Sequence, residues 1–239
     1  MPTVKVNDIT MYYEIHGQGE PVVLIAGLNS DHTLYQKVGV ISRLAEYYQV
    51  VVFDNRGVGQ SDKPNIPYSI EMMADDTAGL LSALGITQAY ILGTSMGGRI
   101  AVALALQYPE CVKSLILVST IVKSLQGTPM TWSRFRVKLM LRIPMIRGPH
   151  PYYAVARQLE ASRSYDGMDR LNEIHVPTLI LHGKKDKSAP YYLAAAMHSG
   201  IKDSQMLTFP GGHIFFLLQQ QQFMEAIVNF LAASKLPSS

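Results

Sequence analysis

The sequence predicts an α/β protein built on a mostly parallel sheet with helices on both faces. Three observations carry that expectation. Short, unbroken aliphatic runs recur along the chain, the pattern of strands buried on both faces. Segments with apolar residues at helical spacing separate them. The runs end in glycine- and aspartate-rich stretches, the turns such an alternation needs.

Val4-Lys5-Val6 and Thr10-Met11-Tyr12-Tyr13-Glu14 read as a hairpin turned at Asn7-Asp8. Val22-Val23-Leu24-Ile25-Ala26 is a buried strand, followed by the loop Gly27-Leu28-Asn29-Ser30-Asp31 and a helical pattern through Leu44. Val50-Val51-Val52-Phe53 is the next strand and runs into Asp54-Asn55-Arg56-Gly57-Val58-Gly59-Gln60-Ser61-Asp62, read as a tight loop built on glycines and a salt-bridging arginine. An amphipathic helix is expected over 69–84, with Met72, Met73, Leu80, Leu81 and Leu84 inward. A strand over 112–118 follows the central motif described below. Further strands are expected over 176–182 and 205–209, with a helix over 191–197 between them and a closing helix over 215–231.

A chain of 239 residues, 48% hydrophobic and 16% charged, suits one globular domain and not a disordered one. A net charge of +3 is too small to suggest nucleic acid. No stretch approaches the roughly 18 apolar residues of a membrane span, and the first residues lack an apolar signal core, so a cytoplasmic protein is expected. The single cysteine, Cys111, excludes an internal disulfide and reads as a packed structural thiol.

The motif that organises the chain is Gly93-Thr94-Ser95-Met96-Gly97, set between a strand-like run over 89–92 and a helical pattern over 96–107. A serine on a sharp strand-to-helix turn needs small neighbours on either side and projects its hydroxyl from the sheet. The same turn puts the Met96 N–H at the positive end of a helix, where an oxyanion would be stabilised. A serine hydroxyl needs a base, and the base needs an orienting acid. Of the histidines, His213 alone falls between the last strand and the last helix. His16, His32, His150, His175 and His198 read as ordinary solvated or packed groups, and His182 as a side chain that holds the loop after its strand. Asp186, four residues past that strand end, is the candidate acid; Asp166, Asp169 and Asp203 have no comparable placement. Ser95, Asp186 and His213 thus all fall just beyond the carboxyl ends of strands, where sites form in such sheets.

With these residues the sequence resembles the α/β-hydrolase superfamily, in particular its small bacterial esterase, enol-lactonase and carbon–carbon hydrolase branch. The resemblance spans about residues 10–231 and rests on the motifs of 54–62 and 93–98, on Leu181-His182-Gly183-Lys184-Lys185-Asp186 and on Gly211-Gly212-His213. It implies backbone oxyanion donors at Leu28 and Met96, and Ser95 as nucleophile sets the chain apart from relatives that use aspartate. Ala26-Gly27 stands where the family often has His-Gly, and the segment between Val118 and Thr178 is shorter than in typical relatives. The expected organisation is one domain: core over 1–119, an inserted helical cap over 120–171, and core again over 172–239. The substrate pocket is expected to include Asn29, Trp132, Phe135 and Ile214. Neither a metal nor an organic cofactor is implied.

The expected activity is hydrolysis of carboxylic esters or lactones through an acyl-enzyme. A carbon–carbon hydrolase or perhydrolase on the same three residues is one alternative; a ligand receptor that retains the fold is another. The cap segment is basic, its lysines and arginines from Lys123 to Arg163 opposed only by Glu160. Trp132, Phe135, Leu139, Ile143 and Ile146 recur there at helical spacing, which favours an amphipathic helix packed over the pocket. The sharper alternative is a basic lid drawing in anionic lipid surfaces or acidic substrates.

Overall fold

The computed structural model describes residues 2–126 and 149–234. Its strands are β1 (Thr3–Val6), β2 (Ile9–His16), β3 (Pro21–Ile25), β4 (Gln49–Phe53), β5 (Ala89–Thr94), β6 (Val112–Val118), β7 (Thr178–Gly183) and β8 (Ser204–Phe209). They form one sheet in the order β1-β2-β4-β3-β5-β6-β7-β8. The β1–β2 hairpin and the β2–β4 pair are antiparallel, and every other pair is parallel. The expected fold class is the observed one.

Because strand side chains alternate between faces, the aliphatic runs feed two cores. Val23, Ile25, Val51, Phe53 and Ile91 point to one side, where α3 (Ile70–Ala83), α4 (Met96–Gln107) and α6 (Tyr191–Gly200) cover them with Met73, Leu80, Ile100, Leu104 and Met197. Val22, Leu24, Val50, Val52 and Leu92 point to the other, under α2 (Val40–Leu44) and α8 (Gln220–Ala233) with Ile41, Leu44, Phe223, Ile227 and Leu231. A polar residue in a central strand would disturb one core or the other, which explains the unbroken runs.

Helix α3 starts where expected, its N-cap Ser69 accepting the Met72 N–H at 3.0 Å. Two other helices are shorter than their periodicity suggests. The pattern ending at Leu44 divides into α1 (Thr33–Lys37) and α2, because Gly39 adopts φ 72° and breaks the first helix. The closing helix divides into α7 (Phe215–Leu218) and α8 at Gln219, whose φ of −129° is not helical. There Phe215 stacks on Phe209 with ring centroids 4.5 Å apart, fixing α7 against the end of β8. Cys111 lies half-buried in a 3₁₀ turn leading into β6.

The loop after β4 is built as its sequence suggests. Arg56 is 1% exposed and donates through Nε and Nη2 to Asp76 of α3, at 2.6 and 2.8 Å, and through Nη2 to Asp8 of the hairpin at 2.9 Å. The fork of a guanidinium suits this bidentate pairing. Asp54, fully buried, accepts the N–H groups of His32 and Gln60 and the His32 ring.

Of the expected cap segment, residues 120–126 and 149–171 are described; they include helix α5 (Tyr152–Ser164) and the start of a 3₁₀ turn over Met168–Glu173. The proposed apolar stripe from Trp132 to Ile146 lies outside the described residues. Among the described residues no helix is long and apolar enough to cross a membrane.

Candidate active site

Ser95 occupies the corner between β5 and α4 with φ 56° and ψ −115°, a conformation that non-glycine residues rarely hold. The sheet fixes it: its N–H donates to Val118 O at 2.8 Å, and its carbonyl accepts the Thr120 hydroxyl at 2.7 Å. The corner is tight enough to require the flanking glycines. A Cβ at Gly97 would overlap the Ile25 carbonyl, and one at Gly93 would overlap Gly97 itself.

The acid comes from the loop after β7. Asp186 is 6% exposed, and its Oδ1 accepts the N–H groups of Ser188 and Ala189 at 2.8 and 2.9 Å. Its Oδ2 receives His213 Nδ1 at 2.8 Å. With Nδ1–H donating to a carboxylate, the neutral ring presents Nε2 as an acceptor, and that atom lies 2.9 Å from Ser95 Oγ. The structure therefore brings Ser95, His213 and Asp186 into one hydrogen-bonded line.

Further contacts hold the loops that carry these groups. Lys184 and Lys185 donate backbone N–H groups to Phe209 O and Gly211 O, joining the Asp186 loop to the His213 loop. Ser119, at φ 48°, donates its hydroxyl to His213 O at 2.7 Å and its N–H to Leu181 O at 3.0 Å. His182 is fully buried and donates Nε2–H to Ala189 O at 2.8 Å, so it braces the loop after β7 as its position suggests. Burial, its main influence, lowers its pKa; the Ala189 carbonyl and Asp186 pull the other way.

Beside Ser95 opens a cavity of about 360 Å³. Gly27, Leu28, Thr94, Ser119, Thr120, His213 and Ile214 belong to its wall, with Leu125, Leu159, Ser162 and Arg163 from the stretch between β6 and β7 and Arg99 from α4. Gly27 approaches the corner closely: a Cβ there would sit 3.1 Å from Thr94 O and 3.3 Å from Ser95 Cβ, a tight fit. That approach sets the Leu28 backbone beside the serine corner, while Met96 is the first residue of α4.

Of the four expected pocket residues, Ile214 lines the cavity. Asn29 is not among the lining residues: its backbone is turned to φ 59° and its N–H is tied to Gln158 Oε1 at 3.1 Å. Trp132 and Phe135 lie outside the described residues. Sequence reasoning missed Gln158, fully buried on α5, whose Nε2 also donates to Arg56 O at 2.8 Å; nothing in the sequence flags it. It also missed Ser119 and Thr120, although their place just beyond β6 is a signal of the same kind that found Asp186.

The alpha/beta hydrolase fold family matches residues 20–148, and the TAP-like protein family matches residues 155–239. RutD of Azorhizobium caulinodans, to which carbamate hydrolysis is provisionally ascribed, is 29% identical over 96% of this chain and 98% of its own. Among solved structures, an esterase from Exiguobacterium antarcticum aligns with a TM-score of 0.85 at 27% identity, covering 96% of this chain and 98% of that one. The enol-lactonase from Burkholderia xenovorans LB400 also aligns with a TM-score of 0.85, at 25% identity over 97% and 100% of the two chains. Sheet order, serine corner and these matches lead to one assignment: the chain belongs to the α/β-hydrolase family.

Proposed function

We propose that the chain is a serine hydrolase that cleaves carboxylic esters or lactones through an acyl-enzyme. The observation that carries this reading is the hydrogen-bonded line from buried Asp186 through His213 to Ser95 Oγ, at 2.8 and 2.9 Å, at the wall of a cavity. Ser95 attacks the substrate carbonyl as His213 Nε2 takes its proton. Asp186, its other oxygen held by two backbone N–H groups, fixes the tautomer of His213 and stabilises the imidazolium. The tetrahedral oxyanion is met by the backbone N–H groups of Leu28 and Met96, the second at the positive end of α4. His213 then protonates the leaving group, and water repeats the sequence on the acyl-enzyme.

Residues 120–171 act as the cap, with Leu125, Leu159, Ser162 and Arg163 facing the substrate. Relatives named for ester, lactone and carbamate hydrolysis support acyl transfer at a carbonyl. The test is a fluorophosphonate probe mapped by mass spectrometry, alongside a panel of esters, lactones and carbamates. Labelling of Ser95 and turnover lost in Ser95→Ala are expected. Folded protein that binds a ligand stoichiometrically, without label or turnover, would point to a receptor instead.

A further inference from the structure

Among the described residues, the wall of the cavity beside Ser95 carries charged side chains of one sign. Arg99 and Arg163 line it, and among the described residues no aspartate or glutamate does. Arg99 is the fourth residue after Ser95, one turn along α4 and on the same side of it. It is 5% exposed, and its Nη1 donates to Lys123 O and Tyr165 O, both at 3.2 Å. These carbonyls come from two separate stretches of the cap segment, so the guanidinium is held between them and not left to sample rotamers. Arg163 lies in the last turn of α5 and is half-buried; among the described residues its guanidinium joins no ion pair. Residues 127–148 include Arg134, Arg136, Arg142 and Arg147 and contain neither Asp nor Glu, so that stretch supplies no side-chain carboxylate.

Apolar side chains, among them Ile121, Leu125 and Leu159, make up much of the remaining wall. A guanidinium against such a wall is stabilised when an anion enters with it, because charge-assisted and bidentate hydrogen bonds are strong where water is excluded. We infer that the cavity takes a substrate with a second, anionic end: an ester or lactone bearing a free carboxylate, whose scissile carbonyl meets Ser95 while the carboxylate meets Arg99 and Arg163. The inference rests on the Ser95 hydrolase reading and names its substrate class. Both arginines line a small cavity beside the serine, which favours a small acid over a lipid surface.

The experiment compares 4-nitrophenyl hemiglutarate with its neutral methyl ester. Binding is measured by calorimetry on Ser95→Ala protein, and kcat/KM on the wild type. The anionic ester should be preferred by about tenfold or more in both measurements, the scale of one additional charged contact. Arg163→Gln, or Arg163→Met should the first variant fold poorly, should bring the ratio towards one. Arg157→Gln removes the same charge from α5 outside the cavity wall and should leave the ratio in place. No preference in binding to Ser95→Ala protein overturns the inference, and so does an equal fall in Arg157→Gln, which would mean attraction by the whole surface. Displacement of the anionic ester by anionic vesicles, but not by free glutarate, would also overturn it in favour of a membrane. Anion preference in binding without turnover would sink the hydrolase reading and leave the ligand class standing. Turnover without anion preference would do the reverse.

Discussion

Replacing Gln158 by leucine should separate stability from catalysis in a measurable way. Gln158 is fully buried on α5 and bonds two loops at once, Oε1 to the Asn29 N–H at 3.1 Å and Nε2 to Arg56 O at 2.8 Å. Leucine has nearly the same bulk and keeps the apolar packing, but it removes the bonds to the buried Arg56 carbonyl and to the half-buried Asn29 N–H. A buried orphaned group costs about 1–3 kcal/mol and a half-buried one less, so a loss of roughly 1–3 kcal/mol of folding free energy is expected. The catalytic effect has a different origin. The Asn29 N–H belongs to the peptide directly after Leu28, and Asn29 sits at φ 59°, so this bond pins the backbone that carries one proposed oxyanion donor. Complete loss of such a donor is worth about 2.7–4 kcal/mol; a loosened one should lower kcat by roughly 10- to 100-fold with a smaller change in KM. Urea denaturation gives the first quantity and ester kinetics the second. Gln158→Glu retains an acceptor for Asn29 and should keep more of kcat than leucine does. If Gln158→Leu loses stability but retains wild-type kcat, Gln158 is only a packing residue and the loop is held by other contacts.

Three other outcomes are expected. Asp186→Asn should reduce turnover by several orders of magnitude, as should Ser95→Ala and His213→Ala, whereas Asp203→Asn, whose carbonyl and not its carboxylate bonds to Thr178 N–H, should have little effect; kcat/KM for the four folded variants decides between the two aspartates. Leu28→Pro should abolish most activity by removing an N–H while Leu28→Ala retains it, and a folded proline variant with normal turnover would exclude this donor. The third outcome concerns pH. Burial holds the pKa of His182 below the usual histidine value, so the unfolded chain takes up its proton first as pH falls. Its contribution to stability is therefore complete above about pH 6.5 and declines below it, and His182→Gln should show a shallower loss of urea stability between neutral and mildly acidic pH than the wild type.

The sheet was legible because its cause is local. Each central strand is covered by a helix layer on both faces, so it must be aliphatic throughout, and the runs at 22–26 and 50–53 need no tertiary information to be recognised. Placing Asp186 and His213 beyond β7 and β8 followed from the sheet, since loops at the carboxyl ends of parallel strands converge. Helix ends at Gly39 and Gln219 were not legible from periodicity, because an apolar stripe can continue across a break in the backbone. Gln158 was hidden for a deeper reason. Its partners lie 129 and 102 residues away in sequence, and a glutamine on a helix carries no mark that it will be buried between two loops.

Backbone strain gives this site a physical signature of its own. Four described residues other than glycine hold a positive φ: Asn7, Asn29, Ser95 and Ser119. Asn7 turns the hairpin, a place where asparagine tolerates the left-handed region. The other three converge on the serine corner, at the ends of chain segments leaving β3, β5 and β6. Such conformations cost on the order of 1–3 kcal/mol each and persist only where surrounding bonds over-determine them. Those bonds are present in each case: Ser95 N–H to Val118 O, Asn29 N–H to Gln158 Oε1, and Ser119 N–H to Leu181 O. Two of the three acceptors are carbonyls at the ends of β6 and β7, so the rigid parallel sheet holds the strain. The third is Gln158 of α5, so the geometry of the loop carrying Leu28 depends directly on how that helix is seated. A change in how α5 seats should therefore be felt first at the loop carrying Leu28 and only later at the serine corner.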